Sequence, residues 1–158
     1  MRPNPKETTG SSDPREPGGD ADRAPRQVSP DRITALAPGQ VFVFGSNARG
    51  RHGSGAARFA MDHFGAIYGQ GHGLHGQSYA VDTMSGPEVL ASEVGTLLAF
   101  AAEHPELTFL VTELGCGIAG YRPAQVAPLF AGSPSNVALP RSFWDELTRA
   151  STGSANVP

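Results

Sequence analysis

Three polar side chains stand where this chain could do chemistry on a bound ligand: Asn47, His52 and Asp82. Asn47 and His52 lie in a glycine-rich segment that follows an apolar run, and Asp82 ends a second apolar run. An amide can hydrogen-bond a ribose hydroxyl, an imidazole can act as a general base, and a carboxylate can activate a water. Structural roles stay open, because asparagine fills turns and aspartate caps them. If the protein is an enzyme, these three are the candidate catalytic residues.

Two glycine-rich loops surround those side chains. Each loop leaves an apolar run and opens into a helix; the loops span residues 45–55 and 115–120. Glycine lets backbone N–H groups approach a ligand, and helix N-termini favour phosphate. Parallel strands end at one edge of a sheet, so both loops should face one crevice and hold a diphosphate. The candidate ligand-binding residues are Gly45, Ser46, Asn47, Gly53, Ser54, Gly55, Gly115, Cys116, Gly117, Ile118, Ala119, Gly120 and Tyr121.

Simpler explanations exist for parts of these loops. The first loop matches neither the dinucleotide fingerprint nor the P-loop, so its glycines could serve only tight turns. Tyr121 could pack over a ribose or belong to the core. Cys116, with no base paired to it, is more typical of a small loop residue than of a nucleophile. His72 and His75 lack the carboxylate or thiol partners of a metal site, so we expect no metal.

Charged residues near the loops add further candidates. Glu113 precedes the second loop and could activate a water or pair with an arginine. Arginines can bind phosphate, although a loop arginine is often only solvated. The candidate phosphate contacts are Arg49, Arg51 and Arg122.

Apolar patterning places these loops in an α/β fold with a mostly parallel sheet, because strands and helices alternate along the chain. The predicted strands are residues 41–44, 78–81, 108–112 and 136–139. Helices are predicted at residues 53–65, from 85 to 103, from 123 and from 142.

The composition of the 158-residue chain fits one domain between two tails. Residues 1–30 and 151–158 have too few apolar side chains to offset the entropy of ordering, so we expect both to be disordered. The domain is then residues 31–150. The net charge of −3 and the lack of any lysine beyond Lys6 provide no basic surface for nucleic acid.

The single cysteine excludes an internal disulfide. No apolar stretch approaches the ~20 residues of a membrane span, and the N-terminus lacks the apolar segment of a secretion signal. We therefore expect a cytoplasmic protein with no membrane partner.

Five segments together resemble the macrodomain family, an α/β fold that binds ADP-ribose. Asp31–Leu36 is similar to the family's opening Gly-Asp-Ile-Thr segment, and Val41–Asn47 to its apolar strand ending in asparagine. Gly53–Ala57 resembles the glycine run that leads into a helix, and Leu74–Thr83 the middle strand. The most specific likeness is Gly115–Tyr121, which resembles the late Gly-x-Gly-Ile-x-Gly phosphate loop.

The resemblance covers residues 31–140 and implies a three-layer α/β/α macrodomain-like fold without a cofactor. It implies that the two loops hold the diphosphate, that Asn47 contacts the distal ribose, and that Asp31 recognises adenine. More narrowly, the chain resembles a compact group of phage and bacterial proteins. That group carries the same Phe-Gly-Ser-Asn and Gly-Cys-Gly-Ile-Ala-Gly pair.

Three functions are compatible with this resemblance. A binding module would take ADP-ribose or a related nucleotide diphosphate. An ADP-ribosyl hydrolase would act on an ADP-ribosylated macromolecule, although the domain lacks the lysine of DNA-acting members and the glutamate pair of poly(ADP-ribose)-degrading members. A phage-derived protein would sequester another signalling nucleotide. The absence of an evident acid–base pair favours binding over catalysis.

Overall fold

The computed structural model describes residues 26–155, and the side chains of residues 26–151. The strands are β1 Gln40–Ser46, β2 Gly73–His75, β3 Ser78–Asp82, β4 Thr108–Val111 and β5 Val137–Ala138. The helices are α1 Gly55–His63, α2 Pro87–Ala102, α3 Pro123–Val126 with a 3-10 turn at Ala127–Phe130, and α4 Arg141–Ala155. The five strands form one sheet in the order β2-β3-β1-β4-β5.

The central strand β1 is parallel to both of its neighbours. In the register, Val43 pairs with Tyr79 of β3 and with Val111 of β4. The strand β5 continues the parallel arrangement beyond β4, whereas β2 is antiparallel to β3. The predicted α/β fold with a mostly parallel sheet is confirmed. Because β1, β3 and β4 end at one edge, the loops that follow them leave the sheet side by side.

Helices cover both faces of the sheet, and each face has its own core. Side chains alternate along a strand, so Val41 and Val43 of β1 point one way and Phe42 and Phe44 the other. The valines belong to the larger core, with α2, α3 and α4. The phenylalanines pack against α1 in the smaller core, which Ile33 also joins. A strand covered on both faces reads as an unbroken apolar run, which explains the pattern at 41–44.

Residues 26–30, which the composition assigns to the N-terminal tail, belong to the fold; we call them the strap. Val28 forms a parallel bridge with Leu139, just after β5. The N–H of Ser29 donates to the Leu139 carbonyl at 2.8 Å, and the Leu139 N–H donates to the Gln27 carbonyl at 3.0 Å. Ser29 is buried. Residues 27–29 therefore bond to the domain that the sequence analysis begins at residue 31.

The strap is also tied to α4 through Trp144. The indole N–H donates to the Gln27 carbonyl at 2.8 Å, and the Arg26 guanidinium carbon lies 5.1 Å from the ring centroid. At its other end α4 continues to Ala155, so the tail predicted at 151–158 starts inside a helix. Residues 1–25 and 156–158 lie outside the described residues. None of the helices in residues 26–155 combines the length and the apolar character that a membrane span needs.

Candidate functional site

The two glycine-rich loops line one cavity of about 420 Å³, which we call the loop cavity. It lies at the sheet edge where β1 and β4 end, next to the first turn of α1. Ten of the candidate ligand-binding residues line it: Gly45, Ser46, Asn47, Gly53, Ser54, Gly55, Gly115, Gly117, Ile118 and Ala119. The parallel topology has thus brought together segments that are distant in sequence.

A second cavity of about 590 Å³, the flanking cavity, lies on the other side of the first turn of α1. Its walls come from residues 30–34, from Phe42 and Phe59 of the smaller core, and from the start of α4 at Arg141. Four residues line both cavities: Gly55, Ala56, Thr112 and Glu113. The two cavities are therefore parts of one crevice.

At the N-terminus of α1, which borders this crevice, the first backbone N–H groups have no partner within the helix. Its N-cap residue Ser54 has an extended backbone, with φ −160°, and makes no side-chain cap hydrogen bond. The first N–H bonded within the helix is that of Arg58, which donates to the Ser54 carbonyl at 3.3 Å. The N–H groups before it have no partner in the helix, and the helix dipole adds partial positive charge there. This end of α1 is suited to an anion.

At two positions of the loop cavity, the protein's own packing does not require the residue to be glycine. A Cβ built on Gly53 or Gly117 would meet no heavy atom within 4 Å, and neither residue has a positive φ. Gly45 and Gly115 differ. A Cβ on Gly45 would lie 3.1 Å from the Thr83 methyl, and Gly115 has a φ of +81°. The glycines at 45 and 115 serve the fold, whereas those at 53 and 117 leave open space in front of the loops.

The Asn47 side chain braces its own loop. Its Oδ1 accepts the Arg51 N–H and its Nδ2 donates to the Arg51 carbonyl, both at 3.0 Å. Asn47 lines the loop cavity, and so does Arg51. Of the three candidate phosphate arginines, Arg49 and Arg122 line neither cavity. The structure therefore selects Arg51 from that set.

His52 is fully buried and lines neither cavity. Its Nε2 donates to the Ile67 carbonyl at 3.1 Å, and its Nδ1 lies 3.3 Å from the Ser46 hydroxyl. The ring packs edge-on against Phe44, with centroids 5.3 Å apart. Both ring nitrogens of His52 therefore contact protein groups within the loop region. Nothing in its glycine-rich sequence surroundings signals this burial.

Asp82, at the end of β3, is 2% exposed and its carboxylate is engaged. Oδ1 accepts the Met84 N–H at 2.9 Å, and Oδ2 accepts the Ser85 hydroxyl at 2.6 Å. The Asp82 N–H donates to Glu93 of α2 at 2.9 Å. Asp82 itself does not line the cavities, but the turn that it organises carries Thr83 and Met84, which line the loop cavity. The sequence analysis did not identify these two residues.

Three candidates from the second loop, Cys116, Gly120 and Tyr121, line neither cavity. Cys116 and Tyr121 pack against the larger core, so Tyr121 takes the second of its two predicted roles. Burial raises the pKa of the Cys116 thiol, and the nearby Glu113 carboxylate raises it further. A raised pKa leaves less thiolate at neutral pH, which agrees with a loop residue rather than a nucleophile.

Glu113 lines both cavities and is the one carboxylate of the described residues that lines the loop cavity. Its Oε2 accepts a hydrogen bond from the Ser142 hydroxyl at the start of α4. The neighbouring Thr112 hydroxyl donates to the Val43 carbonyl at 2.8 Å, which ties this wall to β1. Sequence patterning identifies Glu113 as a carboxylate beside a loop, but its position between two cavities depends on where α4 packs.

Across residues 26–151, no three histidine, cysteine, aspartate or glutamate side chains group as a metal site. The chain matches no protein-family model, no curated protein and no solved structure.

Proposed function

We propose that the crevice binds ADP-ribose or a related nucleotide diphosphate, in a three-layer domain of macrodomain type. One observation carries the proposal: Gly53 and Gly117 face open space in the loop cavity, beside a helix N-terminus with unpaired donors. Side-chain-free backbone around a patch of partial positive charge is what close binding of a diphosphate requires.

The size and lining of the crevice support a dinucleotide-like ligand. Cavities of about 420 and 590 Å³ lie in the range of small-molecule sites. In our proposal the diphosphate lies at the first turn of α1, which borders both cavities. The nucleoside occupies the flanking cavity, where Ile33 and Phe59 supply apolar surface and Asp31 a carboxylate. The distal ribose then occupies the loop cavity.

The side chains favour binding over catalysis. The side-chain polar groups of Asn47 and Asp82 are hydrogen-bonded to protein partners, and His52 is buried outside the crevice. Hydrolysis of an ADP-ribosylated macromolecule is the second candidate function, and Glu113 is the observation that favours it. As the carboxylate of the loop cavity, Glu113 could activate a water beside a ribose.

Calorimetric titration of the full chain with ADP-ribose tests the proposal, with AMP and NAD⁺ as controls. Saturable binding that prefers ADP-ribose supports it. A folded sample that binds none of the three contradicts it. Competition by other signalling nucleotides for the same site would identify a preferred ligand that differs from ADP-ribose. Release of ADP-ribose from a modified protein, lost in Glu113→Gln, would establish the hydrolase alternative.

A further inference from the structure

We propose that Arg51 contacts the ligand phosphate nearest the loop cavity and that Asn47 acts as a positioning residue for it. This inference deepens the proposed function and rests on it. The macrodomain resemblance implies that Asn47 contacts the ligand directly, whereas in this proposal Asn47 affects the ligand through Arg51.

The hydrogen bonds of Asn47 hold the backbone of Arg51 at two points. The Asn47 amide bonds the N–H and the carbonyl of the same residue, at 3.0 Å each. Two bonds to one peptide segment fix both the position and the direction of the Arg51 Cα–Cβ bond. The next glycine, Gly50, has a φ of +67° and sits within the closed turn. The result is a short loop, closed by a side chain, that carries a guanidinium on the cavity wall.

Among the described residues, no carboxylate pairs with the Arg51 guanidinium. Within residues 26–151, no carboxylate oxygen lies within 4.0 Å of its nitrogens, since the ion pairs described there involve Arg58, His72 and Arg149. The loop cavity holds one other charged residue, Glu113. A guanidinium presents several N–H donors in a fixed plane and matches phosphate oxygens better than an ammonium does.

Among the described residues, Arg51 is the cation that lines the loop cavity. Two phosphates bring two negative charges, and Glu113 adds a third in the loop cavity. The helix dipole of α1 offsets only about half an elementary charge. Arg51 supplies a full positive charge at the loop cavity, whereas Arg32 and Arg141 line the flanking cavity.

Three proteins test the contact: the full wild-type chain, Arg51→Gln, and the control Arg49→Gln. Arg49 is two residues away, exposed, and lines neither cavity. The probes are ADP-ribose and inorganic pyrophosphate, titrated at low and at moderate salt. We expect Arg51→Gln to weaken both affinities about tenfold or more, with Arg49→Gln unchanged. Arg51→Lys should recover part of the loss, because it restores the charge.

The outcomes separate this inference from the proposed function. If wild type binds ADP-ribose and Arg51→Gln binds it equally, the inference is wrong and the proposed function stands. If wild type binds only pyrophosphate, and does so through Arg51, the inference stands and the proposed ligand is wrong. If the folded chain binds neither probe, both are wrong.

A double-mutant cycle tests the positioning role of Asn47. If Asn47 acts through Arg51, Asn47→Ala should weaken ADP-ribose binding in wild type and have little further effect in the Arg51→Gln background. Additive losses would mean that Asn47 contacts the ligand itself, which overturns the positioning role. If the alanine variant does not fold, Asn47→Asp replaces it in the cycle, because an aspartate oxygen can still accept the Arg51 N–H.

Discussion

Gly71 lies directly against the carbonyl oxygen of Asn47: a Cβ built on Gly71 would stand 1.9 Å from that oxygen. A Cβ on Gly50 would likewise stand 2.3 Å from the Gln70 nitrogen, and the Gly69 N–H donates to the Gly50 carbonyl at 2.8 Å. The glycine-rich segment at residues 69–76 therefore supports the first glycine-rich loop from behind. Its glycines permit two backbones to pack together without intervening side chains.

Gly71→Ala should destabilise the protein by about 1–3 kcal/mol or more, because the added methyl overlaps backbone that cannot move independently. Gly53→Ala is the matched control, since its methyl would enter open space. Urea unfolding of both variants gives the two free energies. Equal stabilities would contradict the close packing of residue 71 against the loop.

Gly117→Ala should weaken ADP-ribose binding about tenfold while leaving the free energy of unfolding within about 0.5 kcal/mol of wild type. The new methyl occupies space that the proposed diphosphate uses and that no protein atom fills. Gly95→Ala, on α2 and away from the cavities, is the control for adding a methyl to a glycine with open surroundings. Calorimetry measures the affinities. Unchanged affinity in Gly117→Ala would mean that this glycine only makes a turn.

His52→Ala should lower stability by about 2–4 kcal/mol, because it removes a fully buried ring and leaves the Ile67 carbonyl without its donor. Urea unfolding measures this loss. Any change in ligand affinity should result from the loss of order that this substitution causes in the first glycine-rich loop. If His52→Ala keeps wild-type stability and loses only activity, the result would support the general-base role that the sequence suggests for His52.

Alkylation of Cys116 by iodoacetamide at pH 8 should be slower than that of an unstructured cysteine peptide. Its pKa is raised, first by burial and then by Glu113, so less thiolate is present. Glu113→Gln should speed the reaction without reaching the peptide's rate, because burial is the larger cause. Since the folded state favours the neutral thiol, stability should also fall as the pH rises past the unfolded thiol's pKa of about 8.5. Peptide-like reactivity would contradict the burial.

A chain that begins at residue 31 should be about 2–4 kcal/mol less stable than one that begins at residue 26, because it loses the strap. Each strap hydrogen bond contributes on the order of 1 kcal/mol. The lost bonds include those of Ser29 to Leu139 and of Trp144 to Gln27. Trp144 is the chain's single tryptophan, so its fluorescence reports both strap loss and unfolding. Equal stabilities would show the strap to be dispensable.

The parts of the fold that periodicity governs could be predicted from the sequence. The apolar run of β1 and the helical spacing of α2 identify those elements within two or three residues. The strand β2 could not be found in this way, because Gly73–His75 lies in a glycine cluster with no apolar alternation. The strap was also missed, because its few apolar residues gain their stability from backbone bonds to Leu139, which no local pattern records.

At the candidate site, sequence reasoning identified the backbone better than the side chains. The glycine spacing and the parallel topology were enough to bring the two loops to one cavity. His52 and Asp82, which the sequence suggests as reactive groups, are buried and hydrogen-bonded to protein partners. A polar residue beside a glycine loop has the same local sequence whether it faces a ligand or the interior. Only the tertiary structure distinguishes Glu113 and Arg51, which line the loop cavity, from the other charged residues near the loops.

The walls of the crevice come from segments that are distant in sequence: Gly53 and Gly117 are 64 positions apart in the chain. They meet only after β1 has paired with β4, so the crevice does not exist in the unfolded chain. Any occupant therefore binds the native state alone and raises its stability by an amount fixed by mass action, about 2.7 kcal/mol at a hundred times the Kd. Thermal unfolding thus serves as a ligand screen, in which the compound that raises Tm most at equal concentration is the tightest occupant.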